Sequence, residues 1–383
     1  MMQGVFEPSS PAVETRFGTA DVHDGIWDVE YGPDGTFICA GYTAEKAWIG
    51  NLSPDLEVLW ELTPDRSDGY DEALALARMR SGEGFLVAGN SHVGSPGTRH
   101  LLSDAFGWIL CISNEGVIRW ELDLSADERI VVLDVIPTLT GGFVCCGFKA
   151  AEGGEPETAW FGVFNGSGES LFLDTPHPGR SVRFTSLLQL DESGFIVSGT
   201  VDDDQSLLFE RISTDGESIW LTEVDRGLYG SAISDMMMSD DGTTCIAAGG
   251  DLWDNPFSFL MDISTGAVNE DIRFDGWYTL FSVKPTDDGP VFLGHNMLCD
   301  GADSETYLIS LSGTSEIGLP LRIYGYGAVR CRSFLPLPED GFLIAGEVCE
   351  EWGGYQDIWL AVTRPSDWNS AEAGSTLFAD VSD

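Results

Sequence analysis

The chain has 383 residues, 43% of them hydrophobic and 11% aromatic, with 63 acidic against 19 basic side chains and a formal charge of −44. That apolar content is enough for a folded core and excludes a wholly disordered chain. The charge excludes nucleic acid and anionic membrane surfaces as partners, because both are bound through phosphate-neutralising Lys and Arg.

Only three basic residues are lysines (Lys46, Lys149 and Lys284), a depletion that fits either adaptation to high salt, where carboxylate repulsion is screened, or a merely acidic surface. No apolar run reaches the roughly 20 residues of a membrane helix, so no membrane insertion is expected. The N-terminal MMQGVFEPSSPAVETRF lacks the basic start and apolar stretch of a secretory signal. The expectation is a soluble, cytoplasmic monomer as the sequence stands, or an extracellular one if an upstream signal is missing.

In chain order, AVETRFGTAD reads as a last strand and exit turn whose three preceding strands are absent. Seven units follow, each with a turn, a glycine and an apolar run ending in a second glycine: PDGTFICAG, GEGFLVAG, TGGFVCCG, ESGFIVSG, DDGTTCIAAG, DDGPVFLG and EDGFLIAG. Their turn glycines, Gly35, Gly84, Gly142, Gly194, Gly242, Gly289 and Gly341, are spaced by 49, 58, 52, 48, 47 and 52 residues and are expected to supply the φ > 0 that closes each hairpin. Before each turn lies an alternating segment such as IWDVEY or VVLDVI, expected as a strand with one packed face. After it come an apolar-aromatic third strand (AWIGNL, GWILCI, AWFGVF) and, in most units, a fourth (VLWEL, VIRWEL, SIWLTEV). Trp48 and Trp60, Trp108 and Trp120, and Trp160 and Phe172 are each twelve apart and are expected to pack between neighbouring sheets.

Four short antiparallel strands repeated about every 50 residues predict an all-β, seven-bladed β-propeller. The last unit ends after IWLAVT without a fourth strand, so residues near 11–17 are expected to complete that blade and remove its open edge. The implied organisation is an N-terminal segment with the closing strand (1–23), a propeller (24–363) and an acidic tail (364–383). The motifs GFLVAG with WILCISNEGVIRW and GFIVSG with LLFERISTDGESIW resemble the propeller repeats of bacterial and archaeal proteins of the pyrroloquinoline-quinone-like and WD-repeat superfamilies. The resemblance implies a fold used for scaffolds, binding modules and occasional enzymes.

No catalytic set assembles from spacing. Cys145 and Cys146 resemble the vicinal pair of quinone-dependent alcohol dehydrogenases, but strand neighbours point to opposite faces, and buried thiols are expected. SPDLEVLW and STDGESIW depart from the sialidase Asp-box and read as turns. The five histidines (His23, His92, His100, His177 and His295) fall in predicted loops, and Asp202, Asp203 and Asp204 read as a solvated turn. No cofactor is called for. A metal site is weakly indicated by His295, Cys299 and Cys349 in matching loops of units six and seven, with Asp300 or water as fourth ligand.

The links between blades share one face with the loops joining second to third strands. They carry Trp27, Tyr70, Tyr229, Trp277, Tyr278, Tyr324 and Tyr326, together with Arg129, Arg180, Arg183, Arg226, Arg330 and Arg332. Of these, Trp27, Tyr70, Arg180, Arg183, Tyr229, Trp277, Tyr278, Tyr326, Arg330 and Arg332 are the candidate ligand-binding residues of a channel mouth. The leading expectation is a non-catalytic binding or scaffold propeller for a protein, peptide or glycan ligand, and the alternative is a glycan-active hydrolase or lyase with its site at the same mouth. Clustered channel carboxylates facing Tyr or Arg would favour the enzyme.

Overall fold

The structure is a computed structural model that describes residues 13–18, 22–66, 69–92, 105–124, 129–150, 156–190, 194–201, 206–226, 230–251, 255–274, 278–295, 305–312, 316–317, 321–324, 328–338, 341–349 and 356–363. Seven antiparallel sheets form the blades of a propeller. Blade I holds β2 (Gly25–Tyr31), β3 (Phe37–Thr43), β4 (Lys46–Leu52) and β5 (Val58–Leu62). Blade II holds β6 (Tyr70–Arg78), β7 (Gly84–His92), β8 (Ala105–Ser113) and β9 (Ile118–Asp123). Blade III holds β10 (Ile130–Pro137), β11 (Phe143–Lys149), β12 (Thr158–Phe164) and β13 (Ser170–Asp174).

Blade IV continues with β14 (Val182–Gln189), β15 (Phe195–Val201), β16 (Ser206–Ile212) and β17 (Ser218–Asp225). Blade V has β18 (Ala232–Met238), β19 (Thr244–Gly250), β20 (Pro256–Asp262) and β21 (Val268–Arg273). In blade VI, β22 (Thr279–Thr286), β23 (Gly289–His295) and β24 (Glu305–Ser312) are followed by two short pieces, β25 (Glu316–Ile317) and β26 (Leu321–Tyr324), that both pair with β24. Blade VII joins β27 (Ala328–Leu337), β28 (Gly341–Cys349) and β29 (Gln356–Thr363) to the N-terminal β1 (Val13–Phe17).

The expected clasp is present: Val13 pairs with Val362, Thr15 with Leu360 and Phe17 with Ile358. Ile26 and Trp48 of blade I pack in one apolar cluster with Leu343, Ile358 and Leu360 of blade VII, which closes the ring. No helix among the described residues is long and apolar enough to cross a membrane.

The packing aromatics act through a repeated device. The fourth-strand rings Trp60, Trp120, Phe172 and Trp220 each lie against a turn glycine of the next blade (Gly116, Gly168, Gly216 and Gly266), where a Cβ would collide with the ring or press hard against it. The three indoles also donate to backbone carbonyls of those turns, at Asn114, Gly166 and Ile263. The third-strand partners Trp48, Trp108 and Trp160 are buried.

Two sequence expectations need correction. In units two and three the residues with positive φ are Gly82 (71°) and Gly141 (87°); Gly84 instead lies where a Cβ would fall 2.0 Å from the Ile112 carbonyl oxygen. His92 and His295 lie in strands, not loops, because the second strands run past their glycines to pair with Ala105 and Thr306. Cys145 and Cys146 do face opposite ways, into two different apolar clusters. The segments that resemble Asp-boxes are hairpin turns in which Ser53 and Ser213 accept backbone N–H groups. Asp202 to Asp204 and His100 lie outside the described residues.

Candidate functional site

A β-bulge interrupts the first strand of every blade at the same height, with register shifts beside Ile26, Ala73, Val132, Phe184, Ile233, Leu280 and Cys331. A bulge inserts one unpaired residue and re-aims its side chain. The residues so displaced are Trp27, Leu74, Leu133, Thr185, Ser234, Phe281 and Arg332, and all seven line a central channel of about 410 Å³.

The second glycine of the repeat makes the bulge possible. At Gly41, Gly147, Gly199 and Gly346 an added Cβ would stand 1.9–2.1 Å from the first-strand carbonyl oxygen of Gly25, Val131, Arg183 and Arg330. These glycines sit inside continuous ladders, so they mark close backbone approach and not strand ends.

The residue after each bulge forms a second ring, acidic in blades I, III and V. Asp28 accepts from the Val29 N–H (2.8 Å), from the Leu76 N–H of blade II (2.9 Å) and from the Ser333 hydroxyl of blade VII (2.9 Å). Asp134 accepts from Val135 and from Leu187 of blade IV, both at 2.7 Å. Asp235 takes the Met236 N–H (2.9 Å) and, from blade VI, the Val283 N–H (3.0 Å), the Ser282 hydroxyl (2.7 Å) and the Lys284 ammonium (3.1 Å). These carboxylates therefore stitch neighbouring blades together around the axis. Burial works against the charge on Lys284, but Asp235, Asp28 and Glu30 outweigh it and raise its pKa.

Burial, with Asp235 and Asp28 adding to it, pushes Asp134 from the ordinary 3.8 up to about 7, against the pull of the Leu187 and Val135 N–H groups. A folded pKa above the unfolded one means that this group's stabilising contribution is fully present below about pH 4 and is lost as pH rises through about 7. Urea midpoints between pH 4 and pH 8 should accordingly fall more steeply in the parent than in Asp134→Asn; parallel profiles would contradict the assignment.

At the link face, the guanidinium of Arg332 lies 4.6 Å from the Trp27 ring and 5.1 Å from the Phe281 ring, bridging blades VII, I and VI. Glu347 on β28 holds Arg332 and Arg330 at 3.5 Å each and accepts the Tyr42 hydroxyl at 2.8 Å. Glu347 is buried, whereas the Arg330 side chain is 45% exposed. His295 is buried behind Phe281, and burial, reinforced by Arg332 and Arg330, lowers its pKa to about 3. Among the described residues, two guanidinium groups thus share one carboxylate beside an imidazole that is neutral at neutral pH.

Of the ten candidate residues, the structure brings Trp27, Arg330 and Arg332 together. Tyr70 is buried near them, with ring centroids 5.6 Å from Tyr42 and 5.8 Å from His92. Tyr278 is not at the mouth: it is buried and stacked on Tyr307 at 4.7 Å. Arg180 pairs with Glu223 within blade IV, and Arg183 ties blade IV to blade III, paired with Glu157 and lying over the Phe148 ring. Tyr229, Trp277 and Tyr326 lie outside the described residues, as do Cys299 and Asp300. Among the described residues no group of three His, Cys, Asp or Glu side chains could hold a metal ion. Sequence reasoning missed Phe281, Glu347 and the three stitching aspartates; aligning IWDVEY, VVLDVI and AISDMM on their turns puts the aspartates in one column.

No protein-family model matches the chain, and no curated protein matches it. Solved structures do. A catalytically inactive virginiamycin B lyase from Staphylococcus aureus, crystallised with quinupristin, is 10% identical with a TM-score of 0.58, over 91% of this chain and 98% of that one. A chain of the mitotic checkpoint complex is 8% identical with a TM-score of 0.61, over 95% of both chains. The periplasmic gluconolactonase of Pseudomonas aeruginosa is 12% identical with a TM-score of 0.53, over 77% of this chain and 84% of that one. At such identities the likeness is one of fold: the chain is a seven-bladed β-propeller, an architecture that serves both enzymes and scaffolds.

Proposed function

We propose that this is a non-catalytic binding propeller whose channel mouth between blades VI, VII and I receives an anionic group, a carboxylate or sulfate, of a peptide, protein or glycan ligand. The observation that carries the reading is the Arg332 guanidinium held against Trp27 and Phe281 beside the half-exposed Arg330. A planar guanidinium oriented in this way offers paired N–H donors to an oxyanion, and the aromatic faces suit the apolar face of a peptide or sugar.

The glycan-active hydrolase or lyase needs an acid/base pair at the same place. Glu347 is occupied by two guanidinium groups and a phenol, and an imidazole with a pKa of about 3 is a feeble proton acceptor at neutral pH. The channel aspartates are engaged by backbone amides. These features support binding over turnover.

The test is an array of carboxylated, sulfated and neutral glycans and of acidic peptides, probed with the parent, Arg330→Gln and Arg332→Gln. Acidic members should bind the parent and bind each variant at least tenfold more weakly, roughly the 1.4 kcal/mol that a charge-assisted contact exceeds, and the bound ligand should be recovered unchanged. Equal binding by parent and variants would place the site elsewhere, and recovery of cleaved ligand would favour the enzyme.

A further inference from the structure

A second concavity lies on the opposite face, where the hairpins join first to second strands. Between blades V and VI is a cleft of about 210 Å³. Its floor is apolar and belongs to the inter-blade core: Met237, Ile246 and Leu260 of blade V meet Leu311 of blade VI. Its rim on the blade VI side is Pro285, exposed, and Pro290, half-buried, paired across β22 and β23. Proline has a fixed φ and loses little freedom when a partner covers it, so this rim is pre-organised.

Acidic hairpins of blades V and VI flank the cleft, with Asp240 and Asp241 lining it and Asp287 and Asp288 lying in the chain between its lining residues Thr286 and Gly289. All four aspartates are exposed. Asp241 is held in place by the Ser239 hydroxyl (2.7 Å) and by the Thr243 N–H (3.0 Å) and hydroxyl (2.8 Å), which keep its carboxyl below the usual aspartate range. Among the described residues no Lys or Arg lines the cleft.

We propose that this cleft docks a basic segment of a partner protein, one apolar side chain entering between the proline rim of blade VI and the blade V hairpin while flanking Lys or Arg residues meet the four aspartates. The volume is below the roughly 300 Å³ at which small-molecule sites begin, so it suits a side chain or two of a peptide. The apolar floor supplies the anchor's burial and the hairpin carboxylates supply orientation and charge selection. The site is separate from the channel mouth, and its charge preference is the reverse.

The experiment is fluorescence anisotropy with a set of labelled eight-residue peptides, each carrying one Leu, Ile, Phe or Trp between lysines, alongside counterparts with Glu in place of Lys. Titrations use the full chain, the variant Asp240→Lys/Asp287→Lys/Asp288→Lys, and the channel-mouth variant Arg330→Gln. The three aspartates are exposed, and circular dichroism would verify that the triple variant folds. At least one Lys-flanked peptide should bind the parent, bind more weakly as KCl rises, lose tenfold or more in affinity with the triple variant, and keep its affinity with Arg330→Gln. Failure of every Lys-flanked peptide to bind at 1 mM peptide, equal binding of the Glu-flanked set, or unchanged affinity in the triple variant would overturn the proposal. A parent that sediments as a dimer while the triple variant is a monomer would assign the cleft to a second copy and overturn it as well.

Discussion

Removing residues 1–18 should lower the Tm of this protein by about 4 °C. The deletion takes away the strand that pairs with β29 over five residues, the Phe17 ring 5.6 Å from Trp48 and the Glu14 carboxylate that accepts the Trp359 indole N–H at 2.8 Å. Losing the burial of about two apolar side chains costs on the order of 3 kcal/mol. The deletion also bares the backbone edge of β29, so concentration-dependent aggregation should accompany the fall. A differential scanning calorimetry trace unchanged by the deletion would mean that blade VII is complete without β1.

Gly346→Ala should destabilise by about 3 kcal/mol, the upper end of overpacking penalties, and should abolish ligand capture at the mouth as well. The new Cβ would fall 2.1 Å from the Arg330 carbonyl oxygen and 2.9 Å from the Cys331 Cα, and these are backbone atoms that can yield only if the bulge moves. That bulge is what aims Arg332 at the channel. Gly147→Ala is the control, since its Cβ would meet the Val131 carbonyl oxygen at 1.9 Å in blade III, remote from Arg332. Chemical denaturation should show similar losses for both variants, while only Gly346→Ala loses binding at temperatures where both are folded. Equal binding by the two would detach the bulge from the site.

The ring was legible in the sequence because each unit repeats the same local chemistry, a turn, an apolar run and a glycine at one spacing, and because the clasp shows as a strand missing at one end and surplus at the other. The site was less legible because a bulge breaks the period of two on which strand reading depends. Trp27 and Arg332 stand out as link residues for their chemistry, while Phe281, displaced in the same way, sits in LFSVKP, whose alternation marks it only as an ordinary strand residue. Tyr278 has the right composition and position for a mouth, but its ring is captured by Tyr307 from a strand far along the chain. Arg180 and Arg183 likewise belong to neighbours that spacing does not reveal, Glu223 and Glu157. Glu347, which organises both arginines of the mouth, follows the glycine of GFLIAGEVC, and nothing in that run distinguishes it from a solvated strand-end carboxylate.

The central claim, that the mouth between blades VI, VII and I receives an anionic group, is tested most directly by a crystal structure of the protein with its tightest ligand from the acidic array. The account predicts the ligand's carboxylate or sulfate oxygens within hydrogen-bond distance of the Arg332 and Arg330 guanidinium groups, with the adjoining ligand atoms against the Trp27 ring. A ligand seated on any other part of the propeller, making no contact with Arg332 or Arg330, would contradict it.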